Sequence, residues 1–227
     1  MIIQACDRDL PRRWLRLAGA AFLCLCEAAQ TGGLLAQEVK EPEIIPRSAW
    51  GALPPKTELM QVQKPNEIII HHTGERKQPR VSLEAKMRGL QNFGMTPGHV
   101  GLLSKPAWGD LPYHFYVDFA GKIAEGRDID FAGDSTTNFD NDGRIQITVE
   151  GDFEHEEPSQ EQLSSLTTLV VWLALKYGIA PEGIAGHGDY DQTDCPGRNL
   201  KPFLENLRKA VTDALEGDER QTSDVEK

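Results

Sequence analysis

Cysteine is scarce in this chain and unevenly placed. Three of the four cysteines, Cys6, Cys24 and Cys26, lie near the N-terminus, and beyond them only Cys195 remains. A disulfide framework is therefore excluded for the body of the chain. Two explanations of the lone thiol stay open: Cys195 is buried and inert, or its sulfur is bound to another group.

Basic residues are also in short supply. The chain has 24 Lys and Arg against 35 Asp and Glu, which gives a formal net charge of -11 and a pI of about 5.0. Nucleic acids and anionic membranes bind basic surfaces, so neither is expected as the main partner. The length of 227 residues and the 39% hydrophobic content are typical of one soluble globular domain.

Long hydrophobic runs are missing, and the most apolar stretch stands near the N-terminus. Three arginines within residues 12–16 precede the apolar run 17–26, and possible cleavage sites follow at Ala28 or Ala36. This order is typical of a secretory signal peptide, and the run is short for a membrane span. We expect residues 1–36 to be an export leader, and the mature protein to be periplasmic or extracellular with no stable membrane span. An uncleaved anchor is the alternative.

The remaining chain is predicted to form one domain. Residues 37–43 are a charged, proline-bearing lead-in, residues 44–216 are the domain, and residues 217–227 lack apolar periodicity and are predicted to be a flexible tail. Hydrophobic patterns predict strands and helices in alternation, which favours an α/β fold with a central mixed β-sheet flanked by helices. The predicted strands are 67–73, 114–119, 122–127 and 144–150, and the predicted helices are 83–93, 160–177 and 203–215. Gly94 is expected to end the first of these helices and Gly217 the last.

Several local signals set the ends of these elements. Ser159 and Gln162 have the spacing of a capping box, and Gly178 is expected to end the helix that they begin. Ala120 and Gly121 separate two strand-like runs and predict a hairpin.

Residues that bind zinc strongly are few beyond the leader. His71 and His72 end the isoleucine-rich strand, and His187 and Cys195 lie in the loop-like segment GHGDYDQTDCPG. One strand-end histidine with a loop histidine and cysteine would offer zinc three ligands and leave a fourth position for water. Because adjacent strand residues point to opposite faces, we expect only one histidine of the pair to bind metal.

Four motifs, taken in order, resemble the type 2 N-acetylmuramoyl-L-alanine amidases. This family includes the peptidoglycan recognition proteins and the phage lysozyme-type amidases. The motifs are IIPRSAWGA, IIIHHT, PYHFYVDFAGKIAEGR and GHGDYDQTDCPG, and the resemblance covers residues 44–215. It implies zinc-dependent hydrolysis of the amide bond between N-acetylmuramic acid and L-alanine, with peptidoglycan or muropeptide fragments as substrate.

The resemblance also implies the metal ligands. His71, the first histidine of the pair, matches one Zn²⁺ ligand, and His187 and Cys195 match the other two. His72 is then expected to form hydrogen bonds behind the site. The choice of His71 over His72 comes from the resemblance and not from spacing.

Two further residues match catalytic positions of the family. Tyr113 matches a tyrosine beside the metal, where a phenol is able to donate a hydrogen bond to the developing oxyanion. Thr193 stands where the lysozyme-type enzymes have lysine and many recognition proteins have threonine. A role for its hydroxyl in orienting substrate or the oxyanion is a looser expectation. Thr148 occupies the place of a catalytic glutamate in some relatives, and Glu150 is not counted as a catalytic residue.

Other readings remain open at this point. A recognition module that binds cell wall without cutting it is the main alternative, although such members typically lack the cysteine that matches Cys195. A zinc peptidase acting on the stem peptide is disfavoured because no HExxH helix is present. The segment 95–111, with His99 and Trp108, is either part of the substrate groove or a packed surface loop.

Overall fold

A computed structural model describes residues 39–137 and 139–225 of the chain. The predicted leader, residues 1–36, lies outside the described residues, and its cleavage stays a prediction. Within the described ranges, no helix is both long enough and apolar enough to cross a membrane.

A six-stranded mixed sheet forms the centre of the domain. Its strands lie in the order β1-β6-β5-β7-β2-β8, and β5 and β6 form its antiparallel pair, joined by the predicted turn at Ala120 and Gly121. A separate hairpin contains β3 and β4. The strands are β1 Ile44–Ile45, β2 Glu67–His72, β3 Gly98–Val100, β4 Leu103–Lys105, β5 Phe115–Val117, β6 Ile123–Glu125, β7 Arg144–Val149 and β8 Ile184–Gly186.

Helices cover both faces of this sheet, which confirms the predicted α/β class. They are α1 Arg47–Trp50, α2 Leu83–Met95, α3 Gln160–Tyr177 and α4 Leu204–Val225. The larger hydrophobic core joins one face of the sheet to α3 and α4. A smaller core joins Trp50 of α1 and Met87 of α2 to the sheet.

Alternation along β2 divides its side chains between the two faces. Ile68 and Ile70 are fully buried in the larger core. Ile69 packs in a separate cluster with Phe139. Because side chains two residues apart share a face, His71 lies on the same side of the sheet as Ile69. Each buried isoleucine contributes about 2 kcal/mol of transfer free energy, which holds the strand and its terminal histidines in place.

Two helices run past the glycines that were predicted to end them. Helix α2 continues through Gly94, where an added Cβ would lie 2.3 Å from the carbonyl oxygen of Asp110. That glycine permits a close chain approach and does not end the helix. Helix α4 continues through Gly217 to Val225, so the predicted tail is helical over 217–225. A single glycine costs a helix only about 1 kcal/mol, and good helix formers such as glutamate, arginine and glutamine follow it in the sequence.

The segment 95–111 is packed around a buried lysine. Lys105 is 2% exposed, and its ammonium group lies 4.2 Å from the centre of the Trp108 ring. The same group donates hydrogen bonds to three backbone carbonyls, those of Gly94, Thr96 and Pro106. These contacts tie the β3–β4 hairpin to the end of α2.

The capping box predicted at the start of α3 is present. The Ser159 hydroxyl accepts a hydrogen bond from the Gln162 backbone N–H at 3.1 Å, and the Gln162 side chain accepts one from the Ser159 N–H. The Ser159 hydroxyl also donates to the carbonyl of Phe119. At the other end, Gly178 caps the helix with φ of 65°.

Replacing Ser159 with alanine should lower the free energy of unfolding by about 1–2 kcal/mol, because the cap and its link to Phe119 are lost together. Urea titration of both proteins measures the difference. Ser164→Ala, at an exposed position of the same helix, is the matched control and should change stability by about 0.5 kcal/mol or less. Equal losses of unfolding free energy in the two variants would contradict the capping role of Ser159.

Candidate metal centre

Three potential metal ligands converge at the end of β2. His71 is the penultimate residue of β2, and His187 directly follows β8, which pairs with β2. Cys195 lies in the loop that follows. One ligand atom from each of the three residues lies within 4.8 Å of the others, and all three residues are buried. Backbone pairing of β2 with β8 therefore brings the two histidines together.

The distance between the Cys195 sulfur and the His71 nitrogen suits one tetrahedral ion. The Cys195 sulfur is 3.5 Å from Nδ1 of His71, and the rings of His71 and His187 are 4.7 Å apart between centroids. Tetrahedral zinc with normal Zn–N and Zn–S bonds sets a nitrogen and a sulfur about 3.6 Å apart. Two histidines and one cysteine also form a chemically suitable zinc set with one position open.

Burial controls the protonation of these groups. Desolvation, followed by the nearby His187, lowers the pKa of His71 to about 3, so its imidazole is neutral near pH 7. Desolvation also lowers the pKa of His187. The pKa of the Cys195 thiol is raised to about 12 by burial. A bound cation would reverse that shift, because metals hold cysteine as the thiolate.

Two contacts behind the histidines were not predicted from the sequence. Nε2 of His71 forms a short hydrogen bond with Oε1 of Gln146, a buried residue of β7. Nε2 of His187 lies 3.4 Å from the hydroxyl of Thr137. A glutamine among the branched apolar residues of β7 is the sequence signal that could have pointed to the first contact.

Two neighbouring histidines, His72 and His114, lie outside the cluster. Nδ1 of His72 accepts a hydrogen bond from the backbone N–H of Phe153 at 3.2 Å. His114 is fully buried, and its Nδ1 accepts from the backbone N–H of Gln146 at 2.8 Å. Burial lowers the pKa of His114 to about 4. Both side chains have backbone partners, and His72 also lines the groove above the cluster.

Tyr113 and Thr193 both line the groove beside the cluster. The Tyr113 ring centroid is 5.1 Å from that of His71, and burial, with the Cys195 sulfur adding to it, raises the pKa of its phenol above the usual 10. The phenol therefore keeps its proton. The nearby hydroxyl of Thr148 is buried without a partner of hydrogen-bond geometry among the described residues. The Thr193 hydroxyl accepts from the backbone N–H of Cys195 at 3.2 Å.

A groove of about 640 Å³ opens over the three donors. Helix α2 forms part of its wall, and segment 95–111 contributes Val100 and Trp108. His99 is exposed and lies outside the lining. Segment 95–111 is thus both packed and part of the groove. Lys86 and Glu150 also line the wall and form a buried ion pair at 2.8 Å.

Comparison with known proteins identifies the family. The sequence profile described as N-acetylmuramoyl-L-alanine amidase matches residues 61–198, more than half of the chain. The chain therefore belongs to this amidase family. Peptidoglycan-recognition protein SD of Drosophila simulans is 32% identical over 178 residues, which cover 76% of this chain and 90% of that protein.

Solved structures of both amidases and recognition proteins share the fold. The N-acetylmuramoyl-L-alanine amidase LysC of Clostridium intestinale is 27% identical with a TM-score of 0.55, over 76% of this chain and 99% of that one. A Drosophila PGRP-LB variant in complex with tracheal cytotoxin is 28% identical with a TM-score of 0.57, over 71% of this chain and 92% of that one. The family thus includes proteins named as enzymes and proteins named as recognition proteins.

In protein stripped of metal by a chelator, Cys195 should resist alkylation by iodoacetamide near pH 8. Raising the pKa of the thiol from 9.0 to about 12 lowers its thiolate fraction roughly thousandfold. Mass spectrometry of the peptide that contains Cys195 measures the rate, with the same protein in urea as the control. Equal rates in the folded and unfolded protein would contradict a buried, protonated thiol.

Proposed function

We propose that this chain is an exported zinc enzyme that hydrolyses the amide bond between N-acetylmuramic acid and L-alanine in peptidoglycan or muropeptide fragments. The observation that carries the proposal is the convergence of His71, His187 and Cys195 on the floor of a groove. Export is supported by the order of basic, apolar and small residues in the leader.

The three convergent residues would hold the metal. Bound there, Zn²⁺ supplies a Lewis acid that polarises the scissile carbonyl and lowers the pKa of a water to near neutrality. The two imidazoles are kept neutral by burial and can offer their lone pairs. Cys195 offers a thiolate and so reduces the net charge of the centre.

Tyr113 is the residue best suited to stabilise the oxyanion. Its phenol retains its proton because burial raises its pKa, and it stands beside His71 at the edge of the groove. A hydrogen bond donated by the phenol would favour the tetrahedral oxyanion over the planar amide, since charge develops only there. Thr193 is a second candidate for orienting the substrate, since its hydroxyl proton is not used by the hydrogen bond that it accepts.

Glu150 is not assigned the role of a base. Glu150 lines the groove, but its carboxylate already accepts hydrogen bonds from the Lys86 ammonium and from the backbone N–H groups of Gln78 and Phe119. These contacts commit Glu150 to holding α2 and the neighbouring loops against the sheet. Glu150 is therefore a structural residue of the groove wall.

The groove is of a suitable size for a muropeptide. Its volume of about 640 Å³ falls within the range of small-ligand sites, about 300–1,000 Å³. The Drosophila relative whose structure contains tracheal cytotoxin supports a ligand of this class. Recognition without cleavage is the second candidate, because the Drosophila simulans relative is named a recognition protein. The complete ligand set favours the enzyme.

The deciding experiment measures zinc per purified chain and the peptides released from peptidoglycan, with and without a chelator. One zinc per chain and chelator-sensitive release of stem peptides with a free L-alanine amine are expected. Cleavage within the stem would replace the amidase with a peptidase. Binding to the wall without any release would replace it with a recognition module.

Replacing Cys195 with serine should remove most of the bound zinc and abolish peptide release, because a neutral hydroxyl is a poor substitute for a thiolate ligand. Zinc content and release are measured on the same preparation. His155→Gln changes an exposed histidine outside the cluster and should leave both values unchanged. Full zinc content in the Cys195 variant would remove this residue from the ligand set.

Replacing Tyr113 with phenylalanine should preserve zinc content and lower kcat by about 10²–10³, as expected for loss of one oxyanion donor. Tyr190→Phe removes a partly exposed phenol outside the groove and is the matched control. A Tyr113 variant with normal turnover would exclude the phenol from the mechanism.

A further inference from the structure

We propose that two side-chain amides, those of Gln146 and Asn141, fix the tautomer of His71 and so prepare its Nδ1 for metal binding. The inference rests on the proposed zinc centre. Gln146 and Asn141 are then positioning residues: they orient the ligand His71 and do not bind the metal themselves.

The series of hydrogen bonds that orients the two amides begins at the backbone carbonyl of Phe139. The oxygen of Phe139 is able only to accept, and the Asn141 side-chain NH₂ donates to it at 3.3 Å. This contact turns Oδ1 of Asn141 toward Gln146. The Gln146 NH₂ then donates to that oxygen at 3.1 Å. An amide has its oxygen opposite its nitrogen, so Oε1 of Gln146 faces His71.

The same order of donor and acceptor continues at the imidazole of His71. Oε1 of Gln146 is an acceptor, so the short hydrogen bond that joins it to Nε2 of His71 requires a proton on Nε2. The neutral ring then has its lone pair on Nδ1, which faces the Cys195 sulfur at 3.5 Å. The other tautomer would direct the Nδ1–H into the metal position. It would also place the lone pair of Nε2 against a lone pair of Oε1 of Gln146.

The surroundings of Gln146 are shaped to hold it in this position. Its side chain is 1% exposed, and its backbone N–H donates to Nδ1 of His114. An added Cβ at Gly133 would lie 2.7 Å from Cγ of Gln146, so the glycine leaves room for the side chain. The register of β7 against β2 pairs Gln146 with Ile69, which places it on the same face as His71.

Removing the acceptor should weaken zinc binding without removing a ligand. Partners of metal-bound histidines typically change metal affinity by about 10–100-fold when they are lost. Gln146→Leu has similar volume and no acceptor, so its zinc Kd should rise by that factor. Competition with a chromophoric chelator measures the Kd. Gln91→Leu removes an equally buried amide that bonds Leu53 and Asp110, and should keep the wild-type Kd.

The tautomer is read separately in metal-free protein. Long-range ¹H–¹⁵N correlation spectra should show His71 as the Nε2–H form in the wild type and a mixture of both forms in the Gln146→Leu variant. Asn141→Ala, at a half-buried position, leaves the Gln146 amide free to rotate and should give a smaller change in the same direction. This second variant keeps the test open if the first does not fold.

The outcomes separate this inference from the proposed function. A wild-type protein that binds no zinc would overturn the zinc centre. The tautomer measurement would still test whether the amides of Asn141 and Gln146 fix the His71 tautomer. A Gln146→Leu or Asn141→Ala variant with the wild-type Kd and an unchanged Nε2–H tautomer would overturn the inference and leave the zinc centre intact.

Discussion

Side chains of β2 alternate between the two faces of the sheet, and the geometry of the site depends on this alternation. Ile68 and Ile70 are buried in the core that includes α3 and α4, which fixes the face that the strand turns toward these helices. His71 must then point to the opposite face, where the groove opens, and His72 turns toward Phe153. Burial of the isoleucines on one face of the sheet therefore orients the His71 side chain on the other face.

Polar atoms buried at this site need partners, since an unpaired buried donor or acceptor costs about 1–3 kcal/mol. The outer nitrogens of both histidines face such partners, Gln146 and Thr137. One ligand atom from each of His71, His187 and Cys195 lies within 4.8 Å of the others. This arrangement lowers the proton affinity of the imidazoles through desolvation, which leaves their lone pairs available for a cation.

Much of the fold could be predicted from the sequence because its signals were local. The isoleucines of β2 and the capping box of α3 gave both elements their correct positions. The prediction that Gly94 ends α2 was wrong. The glycine leaves room for the backbone of Asp110, a contact that exists only in the folded chain. Gly217 was misread because one unfavourable residue does not end a helix when good helix formers follow.

The candidate site was predicted less evenly. Chemistry and alternation selected His187, Cys195 and one histidine of the pair, but the choice of His71 came from the resemblance. The structure brings His71 and His187 together because β2 and β8 are hydrogen-bonded neighbours, a pairing that no local pattern reveals. Gln146 was missed for the same reason: its contact with His71 spans 75 positions in the sequence.

X-ray absorption at the zinc edge tests the central claim most directly, because it reports the atoms bound to the metal in the folded protein. The account predicts one sulfur at about 2.3 Å and two imidazole nitrogens at about 2.0–2.1 Å, with one further light atom. A spectrum without sulfur, or with oxygen and nitrogen ligands alone, would contradict a centre built from His71, His187 and Cys195.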